Sequence, residues 1–215
     1  MSGASTGRVA QELRERVLTG ELRPGTRLSQ SKLAEAHGVS RIPIRDALHA
    51  LAAEGLVDTT GGTAVVRELS IAELQELYEM RELIEPALTR TAVPNVGLAE
   101  VTMMTDLAEE MESRTTPADW LHANARFHAL VYTRADRPRM IQLTERLRRL
   151  TDRYLYLHVG VFGDTDHLHS EHRRILDAVR RGDAAAAAEL TRAHLVTSHE
   201  FILRYLLENE LMRSD

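Results

Sequence analysis

The stretch Leu28–Leu56, LSQSKLAEAHGVSRIPIRDALHALAAEGL, constrains this chain more than any other. Two short runs with apolar residues at helical spacing flank Gly38-Val39-Ser40. Ser29 can cap the first run, to about His37. Gly38 can end it, because glycine takes the left-handed conformation of a helix C-terminus without steric cost. Ser40 can cap the second run, from Arg41 to about Glu54, and Gly55 closes it. Pro43 falls in the first turn of that helix, where its missing N–H removes no internal hydrogen bond. Helix, three-residue turn, helix is the layout of a helix-turn-helix.

The flanks extend the pattern. Residues 1–6 are small and polar and read as an unstructured lead-in. A helix is expected over Arg8–Thr19, with Val9, Leu13, Val17 and Leu18 on one side and Gly20 as its stop. Glu21–Gly25 reads as a turn, since Pro24 presets one dihedral and Gly25 permits the reversal. Leu56–Thr59 and Thr63–Arg67 read as strands. Gly61-Gly62 between them can supply the positive φ angles of a tight hairpin. Helix, turn, helix and hairpin together make a winged helix.

A helix that enters the major groove needs apolar residues behind and long donors in front. Ile44, Ala47, Leu48 and Leu51 supply the back. Arg41 and Arg45, four apart, stack on one face, and His49 extends the line. A guanidinium can donate two parallel hydrogen bonds to O6 and N7 of guanine. Lys32 and Ser40 suit phosphate contacts, and Gly61 and Gly62 let backbone amides approach the sugar-phosphate chain. The competing reading is a solvated face on which Asp46 and Glu54 balance the arginines. The agreement of turn, helices and hairpin favours double-stranded DNA as the partner.

Net charge qualifies that reading. The chain has 215 residues and a formal charge of −5. Residues 1–69 carry nine basic and eight acidic side chains, and residues 70–215 carry 18 and 24. DNA affinity must therefore come from local placement of arginine rather than bulk charge. With 43% hydrophobic and 27% charged residues, the chain can bury a real core. It has no cysteine, which excludes disulfides and cysteine-ligated metals. No apolar run approaches the length of a membrane span, and MSGASTGRVAQEL lacks the apolar core of a signal peptide. A cytoplasmic location and no membrane partner are expected.

After Ser70 no strand pattern appears. Helices are expected over Ile71–Ala92, Leu98–Ser113, Pro117–Thr133, Pro138–Val161, Asp166–Arg181 and Ala184–Met212, the last capped by Asp183. The breaks fall at Pro94-Asn95 with Gly97, Thr115-Thr116, Asp136-Arg137, Gly160 with Gly163, and Gly182. The expected fold is mostly α: a winged helix-turn-helix over 8–67, then an all-α antiparallel six-helix bundle over 71–212.

Eight of the ten histidines lie after residue 120. Asn124 and His128 are four apart and project from one helix face. His172 and His194 lie on the last two helices, and an antiparallel helix pair can bring residues 22 apart into contact. Three imidazoles and one oxygen suit a divalent transition metal such as Zn. Spacing alone leaves other combinations open, because His122, His158, His167, His169 and His199 compete.

Two resemblances bear on these readings. Leu22–Leu28, Leu33-Ala34, Gly38–Leu48 and Glu54–Val57 are similar to the winged-helix domain of GntR-type transcriptional regulators. The resemblance implies base contacts by Arg41 and Arg45, with a wing glycine near Gly61 or Gly62. Ser31 stands where that family usually has arginine. The remainder resembles the all-helical FCD effector domain of the FadR subfamily, through Tyr78–Ala87, Asn124–His128, Glu171–Ala178 and Ala193–Leu195. Six helices correspond to its shorter, VanR-like branch.

The FCD resemblance implies a metal site formed by Asn124, His128, His172 and His194, with Zn2+ favoured and Mn2+ or Ni2+ as alternatives. It also implies a small carboxylate effector, a homodimer, and Arg81 as an effector-binding residue. The competing reading of Arg81 is a helix-surface ion pair with Glu85. The aggregate expectation is a ligand-responsive regulator, a repressor in its default form, with no enzymatic activity. A metal-sensing regulator and a metal-dependent hydrolase fused to a DNA-binding domain are the alternatives. The absence of an HExxH motif and of a placed general base argues against the hydrolase.

Overall fold

The computed structural model describes residues 2–113, 116–162 and 166–213. The chain forms two compact units, residues 1–70 and 71–215.

The first unit contains α1 (Ser2–Leu18), β1 (Arg27–Leu28), α2 (Gln30–His37), α3 (Arg41–Ala53), β2 (Val57–Asp58) and β3 (Ala64–Val66). Helix α1 starts at Ser2, so the expected unstructured lead-in is helical. Extending a formed helix costs little, and no proline opposes it. The Ser29 hydroxyl accepts from the Lys32 backbone N–H at 3.4 Å, capping α2. Gly38 ends α2 at φ 62°, and Val39 N–H bonds back to the Ala34 carbonyl. Leu13 of α1 and Ile44, Leu48 and Leu51 of α3 are fully buried in one core.

The sheet departs from expectation in two ways. Strand β1 carries no sequence signal, because two residues are too few to show alternation. It pairs antiparallel with β3 through Arg27↔Val65 and Leu28↔Ala64, and the strand order is β1-β3-β2. The hairpin β2–β3, in register Val57↔Val66, has shorter strands and a longer connection than a tight Gly-Gly turn. Only Gly62 has a positive φ there (75°), and its N–H bonds to the Thr59 carbonyl. Asp58 starts the turn instead. Its carboxylate accepts from both the N–H and the hydroxyl of Thr60 at 2.8 Å. The Thr60 backbone bond, then the hydroxyl bond, holds the Asp58 carboxyl below its ordinary value.

The second unit contains α4 (Ile71–Ala92), α5 (Leu98–Ser113), α6 (Pro117–Tyr132), α7 (Pro138–Phe162), α8 (Asp166–Arg180) and α9 (Ala184–Arg213). Helix α4 runs through Pro86, which is buried. Its most extensive packing is on α9. The contacts Tyr78–His199 and Thr89–Thr191 show that these two helices run in opposite directions. His167–Phe201 and His172–His194 show the same for α8 and α9.

Asp183 caps α9 by accepting from Ala186 N–H at 3.0 Å. Asp136 takes the left-handed conformation (φ 52°) before α7. Gly160 does not break α7, which continues to Phe162, while Gly163 and Thr115 lie outside the described residues. One glycine lowers helix propensity by only about 1 kcal/mol, which packing overrides. Met104, Phe127, Leu168 and Ala178 are among the residues of the bundle core. Among the described residues, no helix is long and apolar enough to cross a membrane.

Candidate metal centre and nucleic-acid interface

Helix α6 presents Asn124 and His128 one turn apart, and both are buried. Helix α8 contributes His172 and α9 contributes His194, also buried. One nitrogen from each imidazole lies within 4.8 Å of the others. His128 Nε2 and His172 Nε2 are 3.3 Å apart, and Asn124 Oδ1 is 2.9 Å from His172 Nε2. Two nitrogens bound to one ion at 2.0–2.1 Å stand roughly 3.3 Å apart in tetrahedral geometry. The spacing and the chemistry of the donors therefore fit a divalent transition metal.

Protonation fits as well. Burial is the largest cause that pushes the His128 and His172 imidazoles well below their ordinary value. The positive charge of Arg148 adds to this at His128, and His194 adds to it at His172. Neutral imidazoles keep a lone pair for a metal. Asn124 Oδ1 can only accept, so in any hydrogen bond between it and His172 Nε2 the imidazole is the donor. His128 Nδ1 lies 3.5 Å from the Tyr132 hydroxyl.

An outer layer orients these groups. His194 Nδ1 lies 2.7 Å from Glu171 Oε2, a carboxylate–histidine pair of the kind that fixes a ligand's tautomer. The Tyr132 hydroxyl donates to Glu85 Oε2 at 2.6 Å. Glu85 is fully buried and also accepts from Arg81 Nε at 2.6 Å. Arg148 approaches Glu85 at 3.4 Å and the Asn124 backbone carbonyl at 3.5 Å. Burial alone pushes the Glu85 carboxyl up, but Arg81 and Arg148 outweigh it and hold the group below its ordinary value.

Arg81 is thus not a surface residue. It pairs with Glu85, donates to the Thr151 hydroxyl at 3.0 Å and lies over the Tyr78 ring. Two of the competing histidines lie apart from this cluster. His122 is exposed, and His199 stacks on Tyr78 and faces Glu82. The side chain of His158 lies outside the described residues. Sequence reasoning missed Tyr132 and Arg148, and it placed the Arg81–Glu85 pair on the helix surface, whereas the pair is buried. Glu171 carries no sequence signal as a partner of His194, 23 residues on.

In the first unit, Arg41, Arg45 and His49 are all exposed along α3, above the buried row Ile44, Ala47, Leu48 and Leu51. Arg45 makes only a loose contact with Asp46, at 3.4 Å with both side chains about half exposed. Glu54 does not balance the arginine face, because Arg14 holds it in a bidentate pair at 2.6 and 2.7 Å. Ser40 occupies the N-cap position of α3 but makes no capping bond through its side chain. Lys32, Gly61 and Gly62 are exposed. Ser31 lies 3.0 Å from the Ser29 hydroxyl. Ile42 is 57% exposed at the start of α3, where an apolar side chain can touch a thymine methyl; its lack of a polar group hid it from sequence reasoning.

A winged helix with an outward arginine row and a helical unit with a buried histidine cluster together define a DNA-binding transcriptional regulator. The comparisons give the family. Residues 5–66 match the family described as "Bacterial regulatory proteins, gntR family", and residues 76–197 match the FCD domain. The gluconate operon transcriptional repressor of Bacillus licheniformis is 29% identical over 85% of this chain and 79% of that protein. The HTH-type transcriptional repressor GlaR of Escherichia coli is 26% identical over 92% of this chain and 95% of its own length. A solved structure of a transcriptional regulator GntR from Rhodococcus sp. RHA1 superposes with a TM-score of 0.74, at 26% identity, covering 93% of this chain and 98% of that one. The chain belongs to the gntR family of bacterial regulators, in the group whose second domain is of FCD type, and it is a regulator rather than an enzyme.

Proposed function

We propose that this regulator is a homodimeric, cytoplasmic repressor. A small carboxylate, bound at a metal-containing site in its helical domain, controls its operator binding. Residues 8–67 form the DNA-reading domain, and residues 71–212 form the effector-binding and dimerisation domain. The observation that carries the reading is the convergence of His128, His172, His194 and Asn124 Oδ1 on one buried point. Zn2+ suits three imidazoles and one oxygen best, with Mn2+ and Ni2+ as alternatives. Metal-binding domains of the kind this unit resembles commonly carry an acidic residue at the position of Asn124; its neutral amide leaves the site one unit more positive, which favours an anion as the metal's further ligand. The name of one relative, which ties it to a gluconate operon, is consistent with a carboxylate class.

At the other end, Arg41 and Arg45 read bases, His49 extends the contact, and Lys32, Ser40, Gly61 and Gly62 touch the backbone. Paired winged helices in a dimer read two half-sites. The carboxylate acts only to the extent that its affinity differs between the DNA-bound and free forms. Arg81 belongs to the effector region through Glu85, and it meets a ligand only by exchanging that partner.

The test combines metal analysis of the purified protein with gel-shift titrations of its operator. About one ion per chain, and operator release by a carboxylate only in the metal-loaded protein, is the expected result. If metal alone toggles operator binding and no carboxylate adds to it, the protein is a metal sensor instead.

A further inference from the structure

The groove between α6 and α7 holds a cavity of about 260 Å3, separate from the point on which the histidines converge. Its apolar wall is formed by Ala125 and Ala129 of α6 and Ile141 of α7. Tyr132 and Arg148 also line it. The volume lies near the lower end of ligand pockets, roughly 300–1,000 Å3, so the occupant is a small molecule rather than a peptide.

Arg148 gives the cavity its chemistry. Its side chain is only 11% exposed, yet its hydrogen bonds are long, 3.4 Å to Glu85 and 3.5 Å to the Asn124 carbonyl. Glu85 is already satisfied by Arg81 and Tyr132, each at 2.6 Å. Arg148 is therefore the loosely held cation of the network, whereas Arg81 is tied down. A desolvated guanidinium with spare donors binds a carboxylate through two parallel hydrogen bonds. The lining carries three guanidinium groups, Arg126, Arg148 and Arg149, against two carboxylates, Glu145 and Asp152, so the cavity has positive charge in excess.

We propose that the α6–α7 groove is a second ligand site, which takes a small monocarboxylate with an apolar body: the carboxylate pairs with Arg148 and the body lies against Ala125, Ala129 and Ile141. This site is distinct from the metal's open positions. It borders the metal centre through Tyr132, whose hydroxyl lies 3.5 Å from His128 Nδ1, and through the contact of Arg148 with the Asn124 carbonyl. Occupancy of the groove thus bears on the back of a metal-ligating imidazole and leaves its Nε2 face alone.

The experiment is calorimetric titration of the full-length protein, metal-loaded and chelator-treated, with straight-chain monocarboxylates from acetate to octanoate. Saturable binding that tightens with chain length and survives metal removal is expected. Arg148→Gln should weaken it tenfold or more. Ala129→Leu, which fills the groove without changing charge, should abolish it while metal content and melting temperature stay at wild-type values. Binding that disappears with the metal, or that both variants leave unchanged, overturns the groove site and leaves the metal-bound carboxylate reading standing. No saturable binding along the series overturns it equally.

Discussion

The two units of this protein hold arginine in opposite ways. On α3, Arg41 and Arg45 stand in solvent, and the acidic neighbour of Arg45 makes only a loose contact. In the bundle, Arg81 is buried and Arg148 largely so, against a carboxylate with no exposure of its own. An exposed arginine keeps its hydration and meets a polyanion by releasing counterions, so its value appears only on DNA. A buried arginine must find its partner within the fold, so removing either member leaves a stranded charge. The first arrangement suits a surface that docks and leaves. The second suits a network that shifts as a unit when one charge changes.

The sharpest test of the contrast is at the histidines, which the buried network surrounds. His172→Ala combined with His194→Ala removes two of three nitrogen donors. Bound metal should fall from about one ion per chain to none, while the circular dichroism of the winged-helix unit is retained. Full metal content in the double variant would show that other residues hold the ion.

Next in size is Glu85→Gln. It leaves Arg81 and Arg148 buried without their carboxylate, and breaking such a pair costs about 3–5 kcal/mol. Chemical denaturation followed in the helical unit measures the loss. The pH dependence has a definite sign. The folded-state value of Glu85 lies below its ordinary 4.5, so its contribution is fully present above that value and is lost as pH falls through the folded one. The wild type should therefore lose more stability than the variant on going from pH 6 to pH 3.5. Parallel losses would mean that Glu85 does not carry the charge of the network.

Smaller again is Arg45→Ala on the exposed face. It should weaken specific operator binding by about 1–3 kcal/mol, relax preference at one base pair and leave folding untouched. Weakening that is uniform over all operator sequences would reassign Arg45 to phosphate.

The same contrast explains what could be read from the chain. Helices α4 and α5 match their expected ends, because apolar periodicity and the stop at Pro94–Gly97 are local signals. The arginine row of α3 is legible for the same reason, since its function faces outward and needs no partner within the fold. Asn124, His128, His172 and His194 could be gathered only by adding a family resemblance to spacing, which left other histidines open. Tyr132 is not legible, and Glu85 is legible only as a helix neighbour of Arg81, because their bond joins residues 47 apart that no periodicity announces. In the hairpin turn Gly62 takes the positive φ expected of the glycine pair, Gly61 does not, and the Asp58 carboxylate adds a turn contact that no glycine signals.

The smallest expected effect tests how the exposed face is tuned. Ser31 sits in the first turn of α2, and its hydroxyl meets that of the capping Ser29 at 3.0 Å. The resemblance to GntR-type winged helices leads one to expect arginine there. Ser31→Arg removes one hydroxyl contact between exposed residues, while Ser29 keeps its bond from the Lys32 N–H, so stability should change by less than about 0.5 kcal/mol. If the start of α2 lies along the DNA backbone, the new guanidinium adds one phosphate contact. The slope of log affinity against log salt should then steepen by about one unit, with base preference unchanged. Filter-binding curves at three or four salt concentrations give that slope directly. An unchanged slope would place α2 away from the phosphates and take Lys32 off the DNA with it.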